Sequence, residues 1–282
     1  MKTLLATALL LPMLGLAQTC APPPDLKTEA DAARVQQLAV ALLPCLSSPD
    51  PRLRDEIAFE QLSAWARTRK LDAATLQRLR AELVAVLDGP ADAAGVHQPF
   101  AALTLAEVAR ADRLQPFMTP EQRAELVARA ARFLAGVRDY RGLVAGEGWR
   151  HGVAHGADLA LQLGMNDALS PTQRQTLLEA VSAQVLADHR HAYRFGEGQR
   201  LARAALQLLL RLKPDDAALQ AWLDGLLTPL KQAKAWDETA MTDLHNLRGF
   251  LWPLLAGALD VSDAAQRDRL VAPLQKTLRR LP

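Results

Sequence analysis

Apolar positions in this chain recur every three or four residues and seldom every two, and they are filled chiefly by leucine and alanine, with few β-branched residues. That spacing lines them up on one face of a 3.6-residue helix, so the pattern predicts an all-α protein. Helix starts are marked by a capping residue, a proline at the first helical position and then an acid or amide. Asp50-Pro51, Asp72, Thr119-Pro120-Glu121 and Ser170-Pro171 with Gln173 are such starts. Helices are predicted near 26–46, 51–69, 73–87, 99–113, 120–137, 149–163, 171–187, 198–212, 215–232, 238–258 and 263–279, with Pro253 expected to kink or end its helix. About eleven helices joined by short connectors predict stacked antiparallel hairpins, as in a HEAT- or armadillo-like α-α superhelix or a helical toroid. Exact repeats are not visible, so the spacing of the capped starts carries that inference.

The first seventeen residues depart from this pattern. They hold one charge, Lys2, then a leucine-rich run broken by Pro12, and end in Gly15-Leu16-Ala17. Roughly 13 apolar residues are too few to cross a bilayer, which takes about 20. Residues 1–17 therefore read as a secretory signal peptide, which implies an exported, periplasmic or secreted protein with no transmembrane segment after cleavage. Residues 18–48 form an arm and a first helix, and 49–282 an α-helical repeat domain. The two cysteines, Cys20 and Cys45, would sit in an oxidising compartment and are expected to form a disulfide, the alternative being two free thiols. Closing a loop of about 25 residues is worth roughly 3 kcal/mol in chain entropy. Lys2 is the leader's only charge, so removing it takes one from the 33 basic residues that face 31 acidic ones. A nearly neutral chain without a basic cluster is not a nucleic-acid binder and has no electrostatic attraction to membranes.

Candidate chemistry concentrates at EGWRHGVAHGAD, Glu147 to Asp158. At about 100° per residue with His151 at zero, His155 falls at about 40°, Asp158 at about −20° and Gln162 at about 20°, with Glu147 at about −40° if the helix reaches back that far. Gly152, Gly156 and Ala160 form a small-residue stripe where a neighbouring helix can approach. Val153, Ala157 and Leu161 form an apolar seam on another side. The polar arc between them holds no lysine or arginine and reads as lining a concave surface. Glu147, Trp149, His151, His155 and Asp158, with Tyr140 from the polar connection before them, are the candidate ligand-binding residues. Histidines at i and i+4 can share a divalent metal such as zinc, with Asp158 as an oxygen ligand and His97, His189, His191 or His245 as candidate third ligands. Gly152 stands where the zincin motif has its glutamate, so that mechanism lacks its base, and the alternative is that both histidines serve hydrogen-bond networks between helices. Arg54-Asp55-Glu56 reads as ordinary N-terminal helix chemistry, and Arg248 as a helix-terminal structural arginine. No nucleophile elbow, phosphate-binding loop or dinucleotide glycine pattern is present.

RDEIAFEQLSAW (Arg54 to Trp65), Phe100-Ala101-Ala102-Leu103 with Arg110-Ala111-Asp112, Asp139-Tyr140-Arg141-Gly142 and EGWRHGVAHGAD together resemble the bacterial domain of unknown function 2785 family. The resemblance covers roughly residues 52–165 and continues more weakly through HNLRGFLW. Its most specific part is carried by Gly148, Trp149, His151, Ala154, His155, Gly156, Ala157 and Asp158. His97-Gln98-Pro99-Phe100 departs from it, an arginine and a serine being expected before the phenylalanine. The Trp-then-His-Gly wording also resembles zinc-bearing helical toroids related to lantibiotic cyclases, whose cysteine ligands this chain lacks. The family implies no reaction. The residues point to an exported helical-repeat protein that binds a small ligand, peptide or envelope fragment at a His/Asp-lined site. A metal-dependent hydrolase using His151 and His155, with Glu147 as base, and a protein-interaction scaffold are the competing readings.

Overall fold

The computed structural model describes residues 20–22, 26–186, 191–233 and 235–282. Among them lie twelve α-helices and one two-stranded hairpin, so the protein is all-α. The elements are α1 (Ala32–Ala41), α2 (Glu60–Arg67), α3 (Ala73–Asp88), α4 (His97–Leu114), α5 (Pro120–Gly136), β1 (Leu143–Val144), β2 (Gly148–Trp149), α6 (Gly152–Gly164), α7 (Pro171–Ala183), α8 (Glu197–Leu212), α9 (Asp216–Leu226), α10 (Thr228–Gln232), α11 (Glu238–Leu259) and α12 (Ala264–Leu278). The expected leader, 1–17, lies outside the described residues. None of the helices among those residues is long and apolar enough to cross a membrane.

Helix starts follow local capping chemistry. Thr119 and Ser170 each close a reciprocal capping box, with Gln122 and Gln173 at the third helical position and a proline at the first, and Asp72 accepts from Thr75 N. The helices stack in two layers. α2, α4, α6, α8 and α11 pack successively side by side, α3, α5 and α7 do the same, and α12 covers α9 and α11. Apolar side chains from Leu26 to Leu278 join one continuous core. Cys20 and Cys45 are disulfide-bonded, their Cα atoms 4.8 Å apart, which ties the start of the described chain to the buried segment after α1.

Three expected helices differ in detail. The stretch 26–46 is broken into α1 and flanking 3-10 turns, with Pro44 at the start of the second, and 215–232 divides at Leu227, ahead of Pro229. The helix expected from residue 51 opens as eight π-helical residues, Arg52–Phe59, before α2. Pro253 does not end its helix: α11 runs on to Leu259. The carbonyl that a proline deprives of its donor belongs to the residue four earlier, here Gly249, and this oxygen lies where a Cβ on Gly198 of α8 would sit, 2.6 Å from it. The missing Cβ of Gly198 leaves room for that carbonyl, and α11 continues.

The expected start of α6 at residue 149 is also corrected. Trp149 belongs to β2, paired with Leu143, and the helix begins only at Gly152. Gly146 and Gly148 adopt positive φ, +77° and +76°, which tightens the turn into a hairpin. His151 itself sits at φ 52°, ψ 38°, so its N–H donates back to Arg141 O at 3.0 Å while its carbonyl accepts from His155 N at 3.0 Å. His151 is therefore a junction between hairpin and helix. Glu147, one residue before β2, is not on the α6 stripe; it projects from the hairpin and pairs with Arg150.

Candidate functional site

The hairpin is held from beneath by the π-helical stretch. Arg54 is 0% exposed, yet its guanidinium donates to Ser48 O and Glu147 O, both at 2.9 Å, pairs with Asp55 at 2.7 Å, and lies over the Phe100 ring at 4.9 Å. Asp55 in turn accepts from Trp149 N at 3.4 Å, and burial raises its pKa in spite of Arg54. A Cβ on Gly148 would stand 2.5 Å from Pro51 and 2.8 Å from Arg54, so the hairpin can settle here only with glycine at that position. Arg54 and Asp55 are thus not a generic helix start. They fix where β2 and His151 lie.

With the hairpin in place, the His151 ring stacks on Trp149, centroids 4.8 Å apart and planes 20° from parallel, and meets His155 edge-on at 5.7 Å. His151 Nε2 faces Glu197 Oε1 at 3.5 Å. That is ion-pair range without hydrogen-bond alignment, and neither buried atom has another partner among the described residues. Glu197, at the first position of α8, is 2% exposed. Burial pushes its carboxyl upward, but His151 and the backbone N–H groups, including Phe195 N at 2.9 Å, outweigh burial and hold the pKa below the usual range. Glu197 was not singled out in the sequence; the available signal was an acid at a helix start directly after the aromatic segment Tyr193 to Gly196.

His155 lies deeper. It is buried, its Nδ1 is 3.2 Å from Pro99 O, and Phe100 meets its ring edge-on at 5.2 Å. Burial first, then the charges of His151 and Arg200, lower its pKa well below the ordinary value, so it is neutral at pH 7. Asp158, one turn on, pairs with Arg200 at 2.7 Å. Burial nevertheless raises its pKa to about 6, because desolvation exceeds the help from Arg200, Arg203 and His151. Gln162 accepts from Arg113 at 3.2 Å. The glycine stripe of α6 meets α5, where a Cβ on Gly156 would lie 3.0 Å from Leu134.

The loops before β1 and before α8 meet above this pair. Tyr140 stacks on His191 at 5.0 Å and meets Tyr193 edge-on at 6.1 Å. Phe195 meets Trp149 edge-on at 6.0 Å, and its ring occupies the space a Cβ on Gly142 would need. Both tyrosines of the chain are here, although aromatic residues make up only 5% of it. Below them, Tyr193 OH donates to Gln184 O at 2.8 Å, Asn246 Oδ1 accepts from Tyr193 N at 2.9 Å, and His245 Nε2 lies 2.9 Å from Tyr193 O.

The structure thus brings Trp149, His151 and His155 together, with Asp158 one helical turn away and Tyr140 in the aromatic cluster above. Of the suggested third metal ligands, His97 opens α4 with its N–H on Asp92, His191 and His245 belong to the Tyr193 cluster, and His189 lies outside the described residues. Among the described residues no three His, Cys, Asp or Glu side chains gather in a way that could hold a metal ion. Trp149, His151, His155 and Asp158 line none of four surface cavities of 340–740 Å³; that of 340 Å³ has His97 in its lining, and one of 420 Å³ reaches Pro99, Asp139, Arg141 and Gly152 behind the hairpin.

No curated protein and no solved structure matches this chain. A family model described as "Protein of unknown function (DUF2785)" matches residues 83–255, a span from α3 to α11 that contains the hairpin, α6 and Glu197 and leaves the Arg54 segment outside. The chain belongs to the DUF2785 family.

Proposed function

We propose that this is an exported helical-repeat protein, one domain behind a cleaved leader, that binds a small ligand where the Asp139–Arg150 and His191–Gly196 loops meet. The carrying observation is the His151–Glu197 pair: two buried polar atoms, 3.5 Å apart, each without another partner among the described residues. The two atoms face each other without hydrogen-bond alignment, so each keeps donor or acceptor capacity that a ligand atom could use. His151 also occupies a left-handed backbone conformation, which is uncommon for a residue with a side chain and clusters at functional sites. Trp149 stacks on His151 and the 38% exposed Phe195 meets Trp149 edge-on, so aromatic surface lies beside the pair for a ring-bearing ligand, such as a sugar of an envelope fragment. The Cys20–Cys45 disulfide supports an oxidising, periplasmic or extracellular setting.

The competing hydrolase reading rests on the same two imidazoles, whose centroids are 5.7 Å apart. Both readings are tested on protein purified without a histidine tag. Quenching of tryptophan fluorescence by N-acetylglucosamine oligomers or short peptides, lost in Trp149→Phe and in Glu197→Gln, is the expected result. Stoichiometric zinc that disappears in His155→Ala would favour the hydrolase instead. No response to either class of probe, with no metal bound, would remove the ligand-binding proposal.

A further inference from the structure

A cavity of 380 Å³ opens where the end of α2, the start of α3 and the end of α4 meet, and no residue of the His151–Glu197 site lines it. Leu71, Leu76, Leu114 and Phe117, with alanines and a proline between them, form its wall. Leu71 and Leu76 are each 7% exposed and belong to the core, whereas Leu114, 44% exposed, stands at the rim. Three ionisable side chains share the lining, Arg69, Asp72 and Arg110. The acid is already engaged, its carboxylate accepting from Thr75 N at 2.7 Å as the cap of α3. Neither arginine has an ion pair or a side-chain hydrogen bond among the described residues, although close by Arg67 holds Glu107 and Arg113 donates to Gln162. Arg69 also stands against local preference. It follows α2 at φ 58°, in a turn closed by Lys70 N on Trp65 O at 2.9 Å and Arg69 N on Ala66 O at 3.3 Å, the position that glycine usually fills.

We propose that this cavity binds a single-chain carboxylic acid, with its alkyl chain against Leu71, Leu76 and Phe117 and its carboxylate held by Arg69 and Arg110. An apolar hollow of this size with a few polar groups at defined points has the make-up of a small-molecule site. Guanidinium groups present forked donors that match the two oxygens of a carboxylate, and beside an apolar wall such pairs are screened less than in open water. Two cations against one acid leave the lining one positive charge, which a monoanion cancels. The wall suits a plain chain: it is leucine and alanine with one aromatic ring, and each methylene buried against it adds favourable transfer energy. A peptide's C-terminus carries the same carboxylate on an amide-bearing chain. For those amides the lining holds Gln115 as its one uncharged polar side chain, so the free acid is the better match. This site is separate from the ligand site proposed above, and either can stand without the other.

The test is titration calorimetry of the purified protein with octanoate, with hexanoate, octanol and N-acetyl-dileucine as comparison probes. The expected result is saturable one-to-one binding of octanoate, tighter than hexanoate by about three- to fourfold per methylene and at least tenfold tighter than octanol. Arg110→Gln and Arg69→Gly should each weaken octanoate at least tenfold. The second variant separates binding from folding: glycine is favoured at φ 58°, so its melting temperature should hold or rise while binding is lost. Four results would each overturn the proposal: no saturable binding of octanoate up to about 10 mM, octanol bound as tightly as octanoate, octanoate binding that survives both arginine substitutions, or N-acetyl-dileucine bound more tightly than octanoate.

Discussion

Nε2 of His151 and Oε1 of Glu197 face each other at 3.5 Å across the junction of α6 and α8, each buried and without another partner among the described residues. Glu197 also accepts from Phe195 N, so its carboxylate links His151 to the aromatic loop. Replacing it with alanine leaves an N–H and an imidazole unsatisfied and is expected to cost about 1–3 kcal/mol in urea unfolding. In a double-mutant cycle with His151→Ala the two losses should fall short of additivity by at least about 0.5 kcal/mol. Strict additivity would mean the two side chains are not coupled.

Arg54 should be among the most costly side chains to remove. Its guanidinium is buried beneath the hairpin, and Asp55 depends on it as counter-charge. Arg54→Met removes the cation and leaves the Asp55 carboxylate without its partner, with an expected loss of about 3–5 kcal/mol. Hydrogen exchange gives the local readout: the Arg150 and His151 amides, which close the hairpin onto Gly142 and Arg141, should lose protection before the core of α6 does.

Gly146 and Gly148 share a positive φ but differ in surroundings. Nothing lies within 4 Å of a Cβ on Gly146, whereas one on Gly148 meets Pro51 at 2.5 Å. Gly146→Ala is therefore expected to cost about 1–2 kcal/mol, the penalty of the left-handed conformation alone. Gly148→Ala should cost clearly more, because the hairpin must lift from Pro51 and Arg54. Equal melting temperatures for the two variants would contradict the seating of the hairpin described above.

Asp158 gives the protein a definite pH response. Its pKa is raised from 3.8 to about 6 in the folded state, so the folded protein holds that proton more tightly than the unfolded chain. The stability this contributes is complete below about pH 4 and is lost as the pH rises through about 6. Asp158→Asn should flatten this part of the profile in thermal unfolding measured from pH 4 to 8. A wild-type slope that survives in the variant would assign the response to another group.

Much of the fold was legible because its signals are local. The Thr119 and Ser170 capping boxes placed α5 and α7 from a few adjacent residues, and the apolar period placed most other helices within a few positions. The hairpin was not legible: its strands are two residues each, and the sequence from Gly148 onward also satisfies a helical period, so the contacts with Pro51 and Arg54 decide between the two. His151, His155 and Asp158 were found as polar groups in an apolar helix, but their burial and the partnership with Glu197 depend on α4 and α8 closing over them. Arg54 resembled any charged residue in a first turn; only the three-dimensional packing distinguishes it.

The π-helical stretch Arg52–Phe59 carries one residue more per turn than an α-helix would. Deleting a single residue there would rewind it and turn Arg54 by about 100°, out from under the hairpin, with every side chain of the site still present. Spacing in this segment is therefore as much a determinant of where His151 stands as any residue in the site itself.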